Sequence, residues 1–171
     1  MIEIKNVENG DRDEIIALVL HCQNDGTRPL RTVDDQPELL HIREKYMGNG
    51  GGFWVAKENG KVVGSIGLMM AGNGIGILKK FFVYESWRGK PHHLGRQLYD
   101  VLIEFARQQG IEEIILDTPK NADRAHEFYI RAGFEPIPKE ALPVVYDYPY
   151  SDSDFFRLDL KKSRKHMFAS A

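Results

Sequence analysis

Hydrophobic and polar positions change period several times along the chain, and each change marks an element. Ile2 and Ile4 alternate with polar residues over Met1–Val7, the period of a short edge strand. Ile15, Leu18, Val19 and Cys22 then recur at helical spacing behind Asp11, a residue type that caps helices. Asn24-Asp25-Gly26-Thr27-Arg28-Pro29 breaks that helix. A second amphipathic helix is expected from about Asp35 to Met47, closed by Gly48 and the run Gly50-Gly51-Gly52. Phe53–Lys57 and Lys61–Met70 read as strands joined at Asn59-Gly60, two residues whose tolerance of positive φ suits a tight hairpin. Ala71-Gly72-Asn73-Gly74 turns into a third strand, Ile75–Val83, so the middle of the chain is an antiparallel meander.

After the meander the period lengthens. Leu94, Leu98, Leu102 and Phe105 form a helical stripe ended by Gly110. Glu113–Asp117 is a short strand that Pro119 closes. Ala122–Ala132 reads as a helix with Ala125, Phe128, Tyr129 and Ala132 inward, and Phe134–Ile137 and Phe155–Leu160 as the last strands. Pro138–Asp154 reads as a long surface loop with three prolines and three tyrosines. The order β-α-α-β-β-β-α-β-α-β-β predicts one α/β domain over residues 1–171, without linker or repeat. The crossover from Ile75–Val83 through a helix to Glu113–Asp117 makes those strands parallel.

Composition narrows the classes. A hydrophobic fraction of 42% and a charged fraction of 28% in 171 residues describe a globular protein with a real core. No stretch resembles a membrane span or a signal peptide, so a cytoplasmic location and no membrane partner are expected. A net charge of −2 gives no footprint for nucleic acid, and the basic run Lys161-Lys162-Ser163-Arg164-Lys165 reads as a solvated tail. Cys22, the one cysteine, excludes an internal disulfide and any multi-cysteine metal site. It reads as a small core residue. His92-His93 lacks a second ligand pair at metal spacing, so no metal is expected.

Candidate chemistry gathers in two blocks. Phe81-Phe82-Val83-Tyr84-Glu85-Ser86-Trp87-Arg88-Gly89-Lys90, followed by Leu94-Gly95-Arg96-Gln97-Leu98, runs from a strand through a cationic loop into a glycine-containing helix start. The first turn of a helix leaves backbone N–H groups unpaired and carries partial positive charge, so it accepts a diphosphate where glycine permits close approach. Asn121-Ala122-Asp123-Arg124-Ala125-His126-Glu127-Phe128-Tyr129-Ile130-Arg131-Ala132-Gly133-Phe134 is the second block. Together they resemble the acyl-CoA N-acyltransferase (GNAT) superfamily, closely over about 55 of the 171 residues. One departure stands out: Lys90-Pro91-His92-His93-Leu94 separates Gly89 from Gly95, about two residues more than the family's usual spacing.

The resemblance implies a mixed, twisted sheet, splayed between Ile75–Val83 and Glu113–Asp117 to admit acetyl-CoA and flanked by helices. It implies an N-acetyltransferase in which a primary amine, of a small molecule or a peptide, attacks directly. Cofactor contacts are implied at Phe82, Val83, Arg88, Gly89, Lys90, His93, Leu94, Gly95, Arg96, Asn121 and Tyr129, with Tyr129 also the general acid. A backbone N–H near Phe82–Val83 would hold the thioester carbonyl. Another acyl-CoA acyltransferase and a non-catalytic CoA-binding module are the competing readings. Trp54 and Trp87 read as packing residues, with Trp87 placed to brace the phosphate loop. No general base is assigned, although Glu85 and Asp117 are candidates. Asp25, Asp34, Asp35, Glu38, Asp147, Asp152 and Asp154 would suit a cationic acceptor if they face the site. The resemblance leaves a homodimer open.

Overall fold

A computed structural model describes residues 1–162; of the basic run, Ser163, Arg164 and Lys165 lie outside the described residues. The first strand, β1 (Ile2–Asn6), pairs antiparallel with β2 (Gly52–Glu58). β2 turns at Asn59-Gly60, with φ of 50° and 81°, into β3 (Lys61–Gly72). Asn73-Gly74, with φ of 56° and 75°, repeats that device into β4 (Ile75–Val83). Two consecutive positive φ values match the twist of paired strands, which is why Asn-Gly occupies both turns. Helices α1 (Arg12–Gln23) and α2 (Ile42–Tyr46) lie between β1 and β2. Helix α3 (Leu94–Gln108) leads to β5 (Glu113–Pro119), and α4 (Asp123–Arg131) to β6 (Glu135–Ile137) and β7 (Ser153–Asp159).

Among the described residues, seven strands form one sheet in the order β1-β2-β3-β4-β5-β7-β6. One core holds Leu94, Leu98 and Leu102 of α3 with Ile66, Leu116 and Tyr129. A second holds Ile15, Leu18 and Val19 of α1 with Tyr46, Phe53 and Val55. Leu98 is fully buried, and its Cδ1 would lie 2.9 Å from a Cβ placed on Gly64, so α3 rests directly on the backbone of β3. Leu98→Ala should therefore cost about 2–5 kcal/mol of stability, read as a lower denaturant midpoint.

The single helix expected from Asp35 to Met47 is three pieces: a 3-10 turn at Pro37–His41, α2, and a 3-10 turn at Met47–Asn49. Pro37 pushes Gln36 out of the helical region, at φ −146°, so no helix runs on from Asp35, and His41 at φ −138° separates the first turn from α2. Asp11 does not cap α1 through its side chain. Its carboxylate instead accepts from the Glu8 N–H at 2.9 Å and pairs with Lys57 at 2.6 Å.

The decisive feature lies between β4 and β5. Their parallel pairing covers only Ile75–Ile77 against Glu113–Ile115, and beyond it they part. Each strand keeps its other neighbour: β3 follows β4 to Val83, and β7 follows β5 to Pro119. The opening is thus a fork in an otherwise continuous sheet. On β4 the register against β3 shifts between Ser65 and Gly67, and Lys80 adopts a left-handed φ of 55°. The Ser65 hydroxyl donates to the Lys80 carbonyl at 2.7 Å and fixes this bulge.

Candidate active site

The fork opens into a cleft of about 1050 Å³. Its walls are Leu78–Val83 of β4 and Asp117–Pro119 of β5, with the start of α3 at one end and α4 alongside. Phe82, Val83, Arg88, Gly89, Lys90, His93, Gly95, Arg96, Asn121 and Tyr129 all line it. Leu94 does not. Its side chain is fully buried in the α3 core, which leaves only its backbone available to a ligand.

The extended loop before α3 closes on itself. His93, at a left-handed φ of 48°, donates its N–H to the Gly89 carbonyl at 2.7 Å. Gln97 bonds the His92 carbonyl through its side chain at 2.8 Å, and the Trp87 and His92 rings lie 4.4 Å apart. Trp87 does brace the loop, while Pro91 and His92 project outward and take up the extra length. The Gln97 N–H makes the first bond to His93 at 3.2 Å, so the amides of Leu94, Gly95 and Arg96 stand ahead of the helical ladder. A Cβ on Gly95 would lie 3.6 Å from Phe81, an ordinary contact on the cleft side. Such a helix start is chemically able to hold an anion.

The cations divide their work. Arg88 directs its Nε to the Val83 carbonyl at 2.8 Å and a terminal nitrogen to the Cys22 sulfur at 3.6 Å, so it ties the end of β4 to α1. Lys90 and Arg96 line the cleft at the head of α3, and Arg124 and Arg131 of α4 line it as well. A terminal nitrogen of Arg124 lies 3.1 Å from where a Gly89 Cβ would sit, so α4 reaches across to the loop. Sequence reasoning missed these two arginines. Their spacing of seven residues on a helix was the available signal.

The opposite side is roofed by the segment after α1. The Asn121 amide donates to the Thr27 carbonyl at 3.2 Å and accepts from Arg28 at 3.5 Å. Arg28 also pairs with Asp25 at 3.0 Å, and Arg28 and Arg31 lie over the Tyr150 ring at 5.9 and 5.6 Å. Asn121 therefore joins a strap across the cleft. Of the acidic residues expected to attract a cationic acceptor, Asp25 alone is among the lining residues, and it is paired with Arg28. Lys80 is buried and bonds Gln36 at 2.8 Å and Glu38 at 3.2 Å.

Tyr129 sits on α4 with its ring buried among Phe81, Phe128, Phe134 and Phe156. Burial pushes its phenol well up, and the neighbouring Asp117 and Tyr99 add to the shift. The two candidate bases separate. Glu85 is exposed, bonds His21 at 3.0 Å, and is not among the lining residues. Asp117 lines the cleft, half-buried, and burial raises its carboxyl above the usual range. Cys22 is buried at the cleft edge with its thiol raised by burial, which fits a packing residue better than a nucleophile. Among the described residues no group of three His, Cys, Asp or Glu could hold a metal, and no helix is long and apolar enough to cross a membrane.

A forked sheet with an anion cradle at the head of α3 and a phenol on α4 defines the acyltransferase class that the two sequence blocks resemble. The Acetyltransferase (GNAT) family pattern matches residues 16–134, and the chain belongs to that family. The crystal structure of an acetyltransferase from Streptococcus agalactiae 2603 superposes with a TM-score of 0.89 at 37% identity, covering 93% of this chain and 98% of that one. A GNAT-family acetyltransferase from Staphylococcus aureus Mu50 gives 0.87 at 30% identity, covering 94% and 99%. The probable N-acetyltransferase camello of Xenopus tropicalis is 30% identical over 128 residues, 72% of this chain and 58% of that protein. Relatives such as N-acetyltransferase 8 of Homo sapiens share 28% over 102 residues, 57% of this chain and 45% of theirs. The chain spans about half the length of the curated relatives it matches.

Proposed function

We propose that the protein transfers an acetyl group from acetyl-CoA to a primary amine by direct attack, with Tyr129 as general acid. The observation that carries this is the fork itself: an anion cradle at one end, and a phenol on α4 beside strand edges left free of each other. The fit is chemical as well as spatial. Gly95 leaves room over the α3 amides, and Lys90, Arg96, Arg124 and Arg131 supply positive charge for a diphosphate. The edge of β4 at Phe82–Val83, unpaired with β5, would offer backbone groups to pantetheine and to the thioester carbonyl, apart from the Val83 carbonyl, which Arg88 takes. A putative acetyltransferase from Salmonella typhimurium, solved with its cofactor acetyl-CoA, shares this fold, with a TM-score of 0.71 at 22% identity.

When bound, acetyl-CoA supplies the activated acyl carbon and a thiolate leaving group. The chain's own residues do the rest. The α3 head and its cations anchor the phosphates, the β4 edge aligns the thioester, and Tyr129 holds a proton near the sulfur. A cytoplasmic location and a single domain over residues 1–171 belong to the same proposal, the domain supported by the one continuous sheet of the described residues.

Acetyl-CoA at ~100 times its dissociation constant should stabilise the fold by about 2.7 kcal/mol. That corresponds to a melting temperature roughly 5–10 °C higher for a domain of this size. No shift, together with no heat of binding by calorimetry, would overturn the proposal. A screen of amines with detection of free thiol then identifies acceptors, and binding without turnover on any amine would favour a non-catalytic module.

A further inference from the structure

We infer that Asp117 is the general base of the transfer and that Tyr146 is the residue that positions it. This rests on the acyl-transfer reading above and adds the group that reading lacks. Asp117 stands on β5 two residues beyond Ile115, the last residue paired with β4, so its side chain lies at the apex of the fork. The Tyr146 hydroxyl donates to Oδ1 at 3.0 Å, which leaves Oδ2 without a side-chain partner among the described residues. Tyr146 is itself seated in a small apolar cluster with Ile75, Ile77 and Ile115 at the base of the fork. The carboxyl is thus held from behind and open in front.

The other carboxylates lining the cleft are placed for different work. Asp25 is bonded by the Thr27 hydroxyl at 2.6 Å and by Arg28 at 3.0 Å, contacts that lower its basicity. Asp123 and Glu127 flank Arg124 on α4, beside the phosphate loop. Asp117 faces Lys79 and Lys80 from β4, Tyr146 from the loop before β7, and Tyr129 from α4. The lysines and Tyr146 favour its charged form, and burial opposes them more strongly, so the carboxyl is a better proton acceptor than an exposed aspartate. Its charge also reaches Tyr129, which puts base and acid in one cleft.

The proton balance closes on these two residues. The amine enters neutral, having lost its first proton to solvent. Asp117 takes the proton that the nitrogen sheds as the C–N bond forms. Tyr129 gives its proton to the sulfur, which leaves with the C–S electron pair. Transfer from the Asp117 carboxyl to the Tyr129 phenolate, directly or through water, restores both.

The test uses the full chain, acetyl-CoA, and glycinamide and hydroxylamine as acceptors. Asp117→Asn should lower kcat/KM for glycinamide about 10²-fold or more, while calorimetric affinity for acetyl-CoA changes less than about threefold. Hydroxylamine, a weakly basic nucleophile, should lose less. With rates expressed per neutral amine, so that protonation of the acceptor itself is divided out, the acidic limb of the wild-type pH profile, where activity falls as Asp117 takes up a proton, should disappear in Asp117→Asn. Removing the Tyr146 hydroxyl takes away a bond to the charged form, so Tyr146→Phe should move that limb to higher pH. Carbon NMR titration of the Asp117 carboxyl in the free protein should move the same way, a readout independent of turnover. If Asp117→Asn fails to fold, Tyr146→Phe carries the test. An unmoved limb over a moved carboxyl titration, or wild-type turnover in Asp117→Asn, overturns the assignment while the acetyl-CoA result still stands. Failure of the wild type to bind acetyl-CoA would instead overturn the acyl-transfer reading, and this assignment with it.

Discussion

Tyr129→Phe should slow acetyl transfer about 10²- to 10⁴-fold, the span of general acid catalysis, with acetyl-CoA affinity nearly unchanged. The substitution keeps the ring, and so keeps its contacts with Phe81, Phe128, Phe134 and Phe156. Only a proton donor is removed. Stability should fall by no more than about 1.5 kcal/mol, the net value of one hydrogen bond. The phenol is a poor acid on driving force alone, since an ordinary phenol titrates near ~10 and a thiol near ~8.5. Burial pushes Tyr129 further up, so its contribution has to come from position. The same shift keeps it protonated through neutral and mildly alkaline pH, and no alkaline loss of activity should arise from Tyr129 there. Turnover and melting temperature measured on the same two proteins decide the matter. Full turnover in Tyr129→Phe would leave this residue a packing aromatic.

What could be read from sequence was what is local. The Asn59-Gly60 turn, the Leu94-Leu98-Leu102 stripe and the inward face of α4 follow from φ preferences and helical period, and each formed where expected. The parallel step from β4 to β5 followed from the crossover rule. Boundaries moved where a neighbouring strand decided them: β5 runs on to Pro119 because Ser153 pairs there. The insertion of β7 between β5 and β6 depends on a partner far along the chain, which no local period records. The same is true inside the site. Tyr146 and Asp117 are separated by 29 residues, and Asn121 and Thr27 by 94, yet these contacts orient the candidate base and roof the cleft. Arg88 had the charge expected of a phosphate ligand, but its reach to the Val83 carbonyl required the end of β4 to lie beside α1. The bulge likewise turns Lys80 inward to Gln36 and Glu38, contacts that no local period records.

Gly95→Asp should weaken acetyl-CoA binding by orders of magnitude and leave the fold intact or slightly firmer. Gly95 lies in the first turn of a 15-residue helix, with no positive φ to strain a larger residue. The new Cβ would meet Phe81 at 3.6 Å, an ordinary van der Waals contact. A carboxylate in a helix's first turn gains about 0.3–1 kcal/mol from the dipole, so melting temperature should hold or rise. For the ligand the sign reverses, because the same amides and the same field would have held its diphosphate. Hydrogen bonds to a charged group are worth about 1.5–3 kcal/mol each, so losing two should weaken binding about 10²- to 10⁴-fold. Gly95→Ala separates bulk from charge: a methyl group alone should cost far less affinity. Calorimetry on all three proteins, with melting curves as the control for folding, gives the answer. Wild-type affinity in a folded Gly95→Asp protein would mean that the diphosphate is bound elsewhere than at the head of α3.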